Sequence, residues 1–256
     1  NVSSAKFVVK GSQTDDNWFD TGTTASFTVA SYFLSSDVQT RYVFIGWEGS
    51  DGSSYSGPDP SPQISMTAPV TERALWMTQY LINFHFTDFE GNVEHRSSSI
   101  VLIDSLGKAY SLTNASYFAD EGSSWMVSSV TWQGVNVADN VRYTVTNPDT
   151  VSIRLHTYEV QVVVKDFLGL PVSGALVSLT FVGNTSIVIT TDTSGVASFG
   201  YVPFGIFRGF VNFLGDFSTV GADTEGSHTV VSSVVLSYPL MVTVVVVEIM
   251  AGLLLY

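Results

Sequence analysis

The chain has no cysteine, few cations and little charge of either sign, and each shortage excludes something. Without cysteine there are no disulfides, thiol nucleophiles, thiolate metal sites or iron–sulfur clusters, and thiol usage says nothing about compartment. Four Lys and six Arg stand against 23 Asp+Glu, a formal net charge of −13. Nucleic-acid binding needs clustered cations to displace phosphate counterions, and no basic run exists here. The same deficit argues against an electrostatic grip on anionic lipid headgroups. Charged residues are only 13% of the chain, about half the usual share. Hydrophobic residues make up 45% and the mean hydropathy is +0.27, so this is not a disordered chain. Ser, Thr, Asn and Gly must cover its surface instead of charge. Asn1 is followed by no apolar leader, as expected of a mature or clipped form.

What is present is strand patterning. Before residue 237 almost no stretch carries the i, i+3, i+4 spacing of an amphipathic helix. β-Branched and aromatic residues alternate with polar ones instead, as in Ala25–Val29, Tyr158–Val164 and Val172–Phe181. Turn signals separate these runs: Gly49-Ser50-Asp51-Gly52, Gly57-Pro58-Asp59-Pro60, Asp166-Phe167-Leu168-Gly169 and Asp192-Thr193-Ser194-Gly195. Short strands at this spacing predict an all-β chain of sandwiches. Gly195 is placed at a hairpin tip that needs positive φ. Pro171 suits a strand start, because proline donates nothing to a central ladder. Trp47 and Trp76 end apolar runs, where an indole fills a small core.

A length of 256 residues leaves room for two or three small domains, and an internal repeat sets their boundaries. Tyr80–Gly91 aligns with Tyr158–Gly169 at a constant offset, with Tyr80/Tyr158, Asp88/Asp166, Phe89/Phe167 and Gly91/Gly169 coinciding. Each copy reads as an opening strand followed by an Asp-Phe-x-Gly turn. A period near 80 residues corresponds to about one small sandwich. Modules are therefore expected at 1–78, 79–156 and 157–236, abutting as a semi-rigid rod because no linker exceeds a residue or two.

Two stretches carry a resemblance. Trp18–Val29, Phe44-Ile45-Gly46-Trp47-Glu48-Gly49, Ile64–Pro69 and Ala74–Tyr80 resemble the tandem β modules of archaeal cell-surface (S-layer-associated) proteins. In those a Gly-Trp-x-Gly turn precedes a strand ending in Ala-x-Trp. The third module resembles the transthyretin-like or carboxypeptidase-regulatory-like sandwich in Val162–Asp166, Gly169–Val177, Thr191–Phe199 and Val202–Gly205. The resemblance covers about two thirds of the chain, the middle module matching only at its edges. It implies tandem Ig-like or transthyretin-like sandwiches with structural or adhesive roles, and it implies no catalysis.

From Tyr238 the character changes. Tyr238–Tyr256 holds one charge, Glu248, and no Lys or Arg. As a helix at about 1.5 Å per residue it would span roughly 28 Å, close to the roughly 30 Å hydrocarbon core of a bilayer. Tyr238 and Tyr256 bracket it as interfacial aromatics do, and Pro239 suits a first helical turn. The expectation is a transmembrane anchor over 237–256 with residues 1–236 outside the cell. Two features resist it: no cation follows Arg208, and Glu248 is costly in lipid unless paired, protonated or near an interface. The alternative is a buried strand, since Val242–Val247 is β-branched and unalternating.

Candidate chemistry is sparse. His85, His95, His156 and His228 share no metal-ligand spacing, no Gly-x-Ser-x-Gly elbow appears, and the glycine-rich stretches lack the lysine of a phosphate loop. Asp15, Asp16, Asn17 and Asp20 form the densest oxygen cluster. It is a weak Ca²⁺ candidate, since the spacing fits no EF-hand and Trp18 and Phe19 interrupt it, so a solvated acidic loop is the plainer reading. Asp51 and Asp59 read the same way. Sequons at Asn1, Asn114 and Asn184 permit glycosylation. No enzyme activity and no cofactor is expected. The expected role is a structural cell-surface protein, a membrane-anchored stalk, envelope or adhesion component. Its expected partners are membrane lipid, other surface proteins or copies of itself, and glycans. Two alternatives stand. One is a filament subunit assembled by strand donation, with Lys6–Lys10 or Leu240–Val247 as donor. The other is an accessory single-span subunit whose Glu248 docks on a partner helix.

Overall fold

The computed structural model describes residues 5–91, 99–224, 229–235 and 245–250. Twenty strands and a single 3₁₀ turn (Val182–Asn184) account for nearly all regular structure there; residues 245–250 are helical. Three separate hydrophobic cores organise the strands.

The first core lies between β1 (Phe7–Lys10), β2 (Thr24–Val29) and a short β5 on one side, and β3 (Phe33–Ser35), β4 (Thr40–Gly49) and β6 on the other; β5 is Gln63–Ser65 and β6 is Glu72–Thr87. Along β2 the expected alternation holds, Ala25, Phe27 and Val29 facing inward. β4 needs a device, because Phe44 and Trp47, three residues apart, would face opposite ways in a regular strand. The ladder with β6 shifts register between Phe44 and Gly46, a bulge that turns both rings into the core. Gly46 sits at φ 149°, and a Cβ there would lie 2.7 Å from the Gly57 carbonyl oxygen. Trp47 then packs against Phe27 and Phe44 at ring separations of 4.8 and 5.4 Å.

The second core is built from β6 together with β7 (Ser99–Asp104), β8 (Ala109–Leu112), β9 (Ser116–Asp120), β10 (Ser124–Trp132), β11 (Val135–Asn136), β12 (Val141–Thr144) and β13 (Asp149–Arg154). The third uses β14 (Thr157–Asp166), β15 (Leu176–Thr180), β16 (Ser186–Thr190), β17 (Val196–Pro203), β18 (Ile206–Phe213), β19 (Asp216–Asp223) and β20 (Thr229–Val235). The two units share one strand order. One sheet is β9-β6-β13 in the second and β17-β14-β20 in the third; the facing sheet is β8-β7-β10-β12 and β16-β15-β18-β19 respectively. The repeated sequence is the central strand of the smaller sheet in both. It pairs in parallel with the last strand of its unit, starting at Ile82↔Asp149 and at Val160↔Thr229, and Ile82 and Val160 are equivalent positions of the repeat.

Each copy ends in the same tip. Gly91 and Gly169, at φ 84° and 83°, donate their N–H groups to the carbonyls of Asp88 and Asp166. The Asp166 carboxylate further accepts the N–H groups of Leu168 and Leu170, both at 2.9 Å, an Asx turn that fixes the loop. Asp192–Gly195 repeats the arrangement: Gly195 has φ 75°, and Asp192 accepts from Ser194 and Val196.

The expected boundary after Thr78 falls inside β6. Ala74 and Trp76 of this strand pack on the first core, whereas Ile82, Phe84 and Phe86 belong to the second. β4 pairs with Glu72–Tyr80, and β9 with Gln79–Asn83, so the overlap at Gln79 and Tyr80 puts β4 and β9 on opposite edges. Of the C-terminal segment, Tyr238 and Tyr256 lie outside the described residues. Glu248 is exposed on the helical stretch, as are Val245, Val246, Val247, Ile249 and Met250. No helix among the described residues is long and apolar enough to cross a membrane.

Candidate binding surfaces and junctions between units

Loop 11–23, between β1 and β2, presents the most exposed indole of the molecule's first unit. Trp18 is 78% exposed while its neighbour Phe19 packs against the first core. The backbone of Trp18 is held on both sides: its N–H donates to Asp16 Oδ1 at 3.0 Å, and its carbonyl accepts the Ser12 hydroxyl at 2.9 Å. Thr14 also donates to Asp16 Oδ1. These bonds, the Thr14 hydroxyl foremost, hold the Asp16 carboxyl below the usual aspartate range. Asp15 and Asn17 adopt φ of 57° and 64°, a conformation that Asn and Asp tolerate best among residues with a Cβ. The loop is tied to the body by Gly22 N–H to the Met66 carbonyl at 2.7 Å, and its end is closed on itself by Thr23 N–H to the Asp20 carbonyl at 3.0 Å.

Two clefts adjoin Trp18. One, of about 460 Å³, runs between Asn17–Phe19 and the Met66–Val70 segment. The other, of about 360 Å³, is lined by Gly11, Gln13, Thr14, Asp16, Asp20 and Thr23 together with Trp18 and Phe19. A third hollow of about 340 Å³ opens between the two sheets of the first unit, beside Phe7, Val9, Phe27 and Trp47. Phe7 and Val9 face it and stay 49% and 46% exposed. Two polar atoms buried beside it, Trp47 Nε1 and Glu72 Oε2, have no hydrogen-bond partner among the described residues. On the second unit a hollow of about 680 Å³ adjoins Asp104, Trp125 and Arg142. Asp104 is occupied there by the N–H groups of Leu106 and Lys108 and by the Tyr110 hydroxyl.

The weak Ca²⁺ candidate at Asp15, Asp16 and Asp20 lies on an exposed loop. No three His, Cys, Asp or Glu among the described residues come together in a way that could hold a metal ion, and Asp16 spends an oxygen on its own loop while Asp15 and Asp20 stay exposed. His95 and His228 lie outside the described residues, as does Asn1. His156 bonds Asp139 at 3.0 Å and sits between the rings of Phe89 and Phe204 at 5.1 and 5.4 Å. Asn114 is exposed at a bend before β9, and Asn184 is exposed on the 3₁₀ turn at φ 60°.

The junctions are better built than any of these hollows. Arg41 of β4 stacks over Phe33 and, from the second unit, Phe118, at 5.2 and 4.2 Å. Its Nε donates to Gln79 Oε1 and Gln79 Nε2 donates to Asp120 Oδ1, both at 2.6 Å. At the next junction Trp132 Nε1 donates to the Tyr201 carbonyl and the Thr185 hydroxyl to the Gln133 carbonyl, both at 3.1 Å. Neither Arg41 nor Trp18 was singled out by sequence pattern. An indole set among Asp and Asn in a turn-rich loop is a usable signal for Trp18; a cation whose ring partner lies in another module leaves none.

No protein-family model matches this chain, and no curated protein does. The archaeal surface and carboxypeptidase-regulatory-like resemblances therefore have no counterpart there. Among solved structures, the TIE protein of Bacillus anthracis is similar at 9% identity and a TM-score of 0.30, over 92% of this chain. This chain spans 58% of that protein's length. The shaft pilin SpaA of Lactobacillus rhamnosus GG is similar at 10% identity and 0.35, over 62% of this chain and 97% of its own. A minor pilin of Streptococcus agalactiae gives 10% and 0.32, over 63% and 96%. Likeness at these levels carries no function across.

Proposed function

We propose that this protein is a non-enzymatic structural component of a cell surface: a stalk of sandwich modules, 1–78, 79–156 and 157–236, that displays the first module's loops away from the C-terminal segment. The observation that carries this reading is β6, a single 16-residue strand that belongs to two cores at once. Chains that act as swivels separate their domains with flexible linkers; here the link is a paired strand, clamped by Arg41. Further support comes from the low charge and from two exposed sequons, Asn114 and Asn184, which suit a glycosylated extracellular surface. Segment 237–256 is the proposed membrane anchor. The apolar side chains at 245–250 support it, being helical and covered by no core. The test is protease treatment of intact cells expressing the full gene product. Cleavage from outside, with the protein in the detergent-soluble membrane fraction, is expected; a protected, cytosolic protein overturns the reading.

A filament subunit is the second reading, favoured by β1. Its outer edge carries no partner strand among the described residues, and an unpaired edge over a half-open core is where a strand from another chain adds. Of the candidate donor Lys6–Lys10, Phe7–Lys10 already pairs with β2 at home, from Phe7↔Val29 to Lys10↔Ser26. Donation would require that pairing to open. Deleting residues 1–10 is expected to abolish polymerisation in this case, and unchanged fibres in micrographs would sink it.

A further inference from the structure

We propose that the Trp18 loop is a binding site for a neutral pyranose unit of a glycan, which stacks on the indole and lodges in the cleft lined by Gln13, Thr14, Asp16 and Asp20. The inference does not rest on the surface location proposed above.

Four observations converge. First, the fold makes no use of the Trp18 side chain, which is 78% exposed while Phe19 supplies the local packing. An indole left in water forgoes the stabilisation that burial would give, so its whole face stays available to an occupant. Second, the indole is pre-positioned, because the N–H and carbonyl of Trp18 are both held within the loop. Binding therefore spends little on ordering the loop. Third, the groups around it match a sugar's needs. The side chains of Gln13, Asn17 and Asp20 make no hydrogen bond to other described residues, leaving an amide donor and acceptor at Gln13 and Asn17 and two acceptor oxygens at Asp20. A hydroxyl is both donor and acceptor, and a pyranose carries several on its rim beside an apolar C–H face suited to an aromatic surface. The adjoining cleft, about 360 Å³, falls within the range of small-molecule sites, about 300–1,000 Å³.

Fourth, the charge selects among sugars. Asp15, Asp16 and Asp20 crowd the loop, and no Lys or Arg among the described residues lines either cleft beside Trp18. Lys10 precedes the loop on β1 but lines neither. An anionic sugar would be repelled, and with no cation at hand an anionic lipid surface would be repelled too. Membrane insertion of the indole would also have to bring its three carboxylates toward the interface, at a cost.

The experiment titrates the 256-residue protein with tetramers of β-1,4-linked glucose and of N-acetylglucosamine, with tetragalacturonate as the anionic control, following tryptophan fluorescence and ¹H–¹⁵N shifts. A neutral tetramer is expected to bind in the range of about 0.1–1 mM, with shift changes centred on residues 11–23. Trp18→Ala should weaken it at least about tenfold, as loss of an aromatic anchor does. Trp18→Phe should restore part of that loss, and Asp20→Ala should weaken it a few-fold with melting temperature unchanged. Because Trp18 is exposed, unfolding of the alanine variant does not confound the result, and its melting curve checks this. No binding of either neutral tetramer, equal binding by Trp18→Ala, or tetragalacturonate binding as well as the neutral sugars would each overturn the proposal. Trp18-dependent sedimentation with phosphatidylcholine vesicles, without sugar binding, would overturn it in favour of a membrane contact.

Discussion

The first and third units are built from similar residues and close their cores differently. In the third, Val160, Val177, Leu179, Phe207 and Val211 are fully buried, and strands on both sheets run five residues or more. In the first, β3 and β5 have three residues each, Phe7 and Val9 face inward yet stay half exposed, and a hollow reaches Trp47. The difference teaches where each unit's stability comes from. The third unit has a sealed core of its own; the first leans on β6 and on Arg41 for what its own short strands do not supply.

Truncating a central ring breaks this comparison most directly. Phe207→Ala is expected to destabilise the third unit by about 4 kcal/mol, since a tight site leaves a cavity. Phe27→Ala should cost about 2–3 kcal/mol in the first, whose neighbours can relax toward the existing hollow. Urea denaturation measures both, and equal losses would erase the distinction. A backbone test comes next. Gly195→Ala combines φ 75° with a Cβ placed 2.5 Å from the Val164 carbonyl oxygen, and should cost about 2–3 kcal/mol. Gly22→Ala, at φ 85° with nothing within 4 Å, should cost only about 1 kcal/mol.

Arg41→Ala sharpens the comparison from the other side. Removing two ring contacts and a hydrogen bond should cost about 1–2 kcal/mol and let the first unit melt separately, so that a single thermal transition becomes two. A smaller effect lies in the second unit, where the Tyr143 hydroxyl is buried without a partner among the described residues. Tyr143→Phe removes an unsatisfied group and should raise stability by about 1 kcal/mol. Burial also pushes the Tyr143 phenol above its usual value near 10. The wild-type protein should therefore lose stability as pH rises past about 10, where the unfolded chain ionises first, and the phenylalanine variant should lose less. The smallest effect is local. With the Asp16 carboxyl held low, its contribution to loop order is present above the ordinary aspartate value of 3.8 and lost as pH falls below it. Exchange of the Trp18 amide should quicken in that acid window and not in Asp16→Asn.

Much of the fold was legible because its causes are local. The repeat at Tyr80–Gly91 and Tyr158–Gly169 marks the central strands of two units with one strand order, and the tips at Asp166 and Asp192 form as Asx turns. The fusion at β6 was hidden. Over Ala74–Tyr80 the strand is partly covered on both faces, so period-two alternation fades where a boundary would otherwise be marked. The candidate sites were harder still. The acidic run at Asp15–Asp20 reads as a solvated loop, and nothing in its pattern says that the same loop turns its indole outward, since whether an aromatic points in or out is decided by tertiary packing.

The parallel pairing of first and last strands has one more consequence. In the second unit β6 runs alongside β13, and in the third β14 alongside β20. A pull on the two ends of either unit drags these neighbours past each other lengthwise. Such sliding strains every rung of the ladder together, whereas peeling a hairpin breaks one rung at a time. Because β13 leads into β14 almost directly, the two clamps lie in series, and tension passes down the chain without a weak link at their junction.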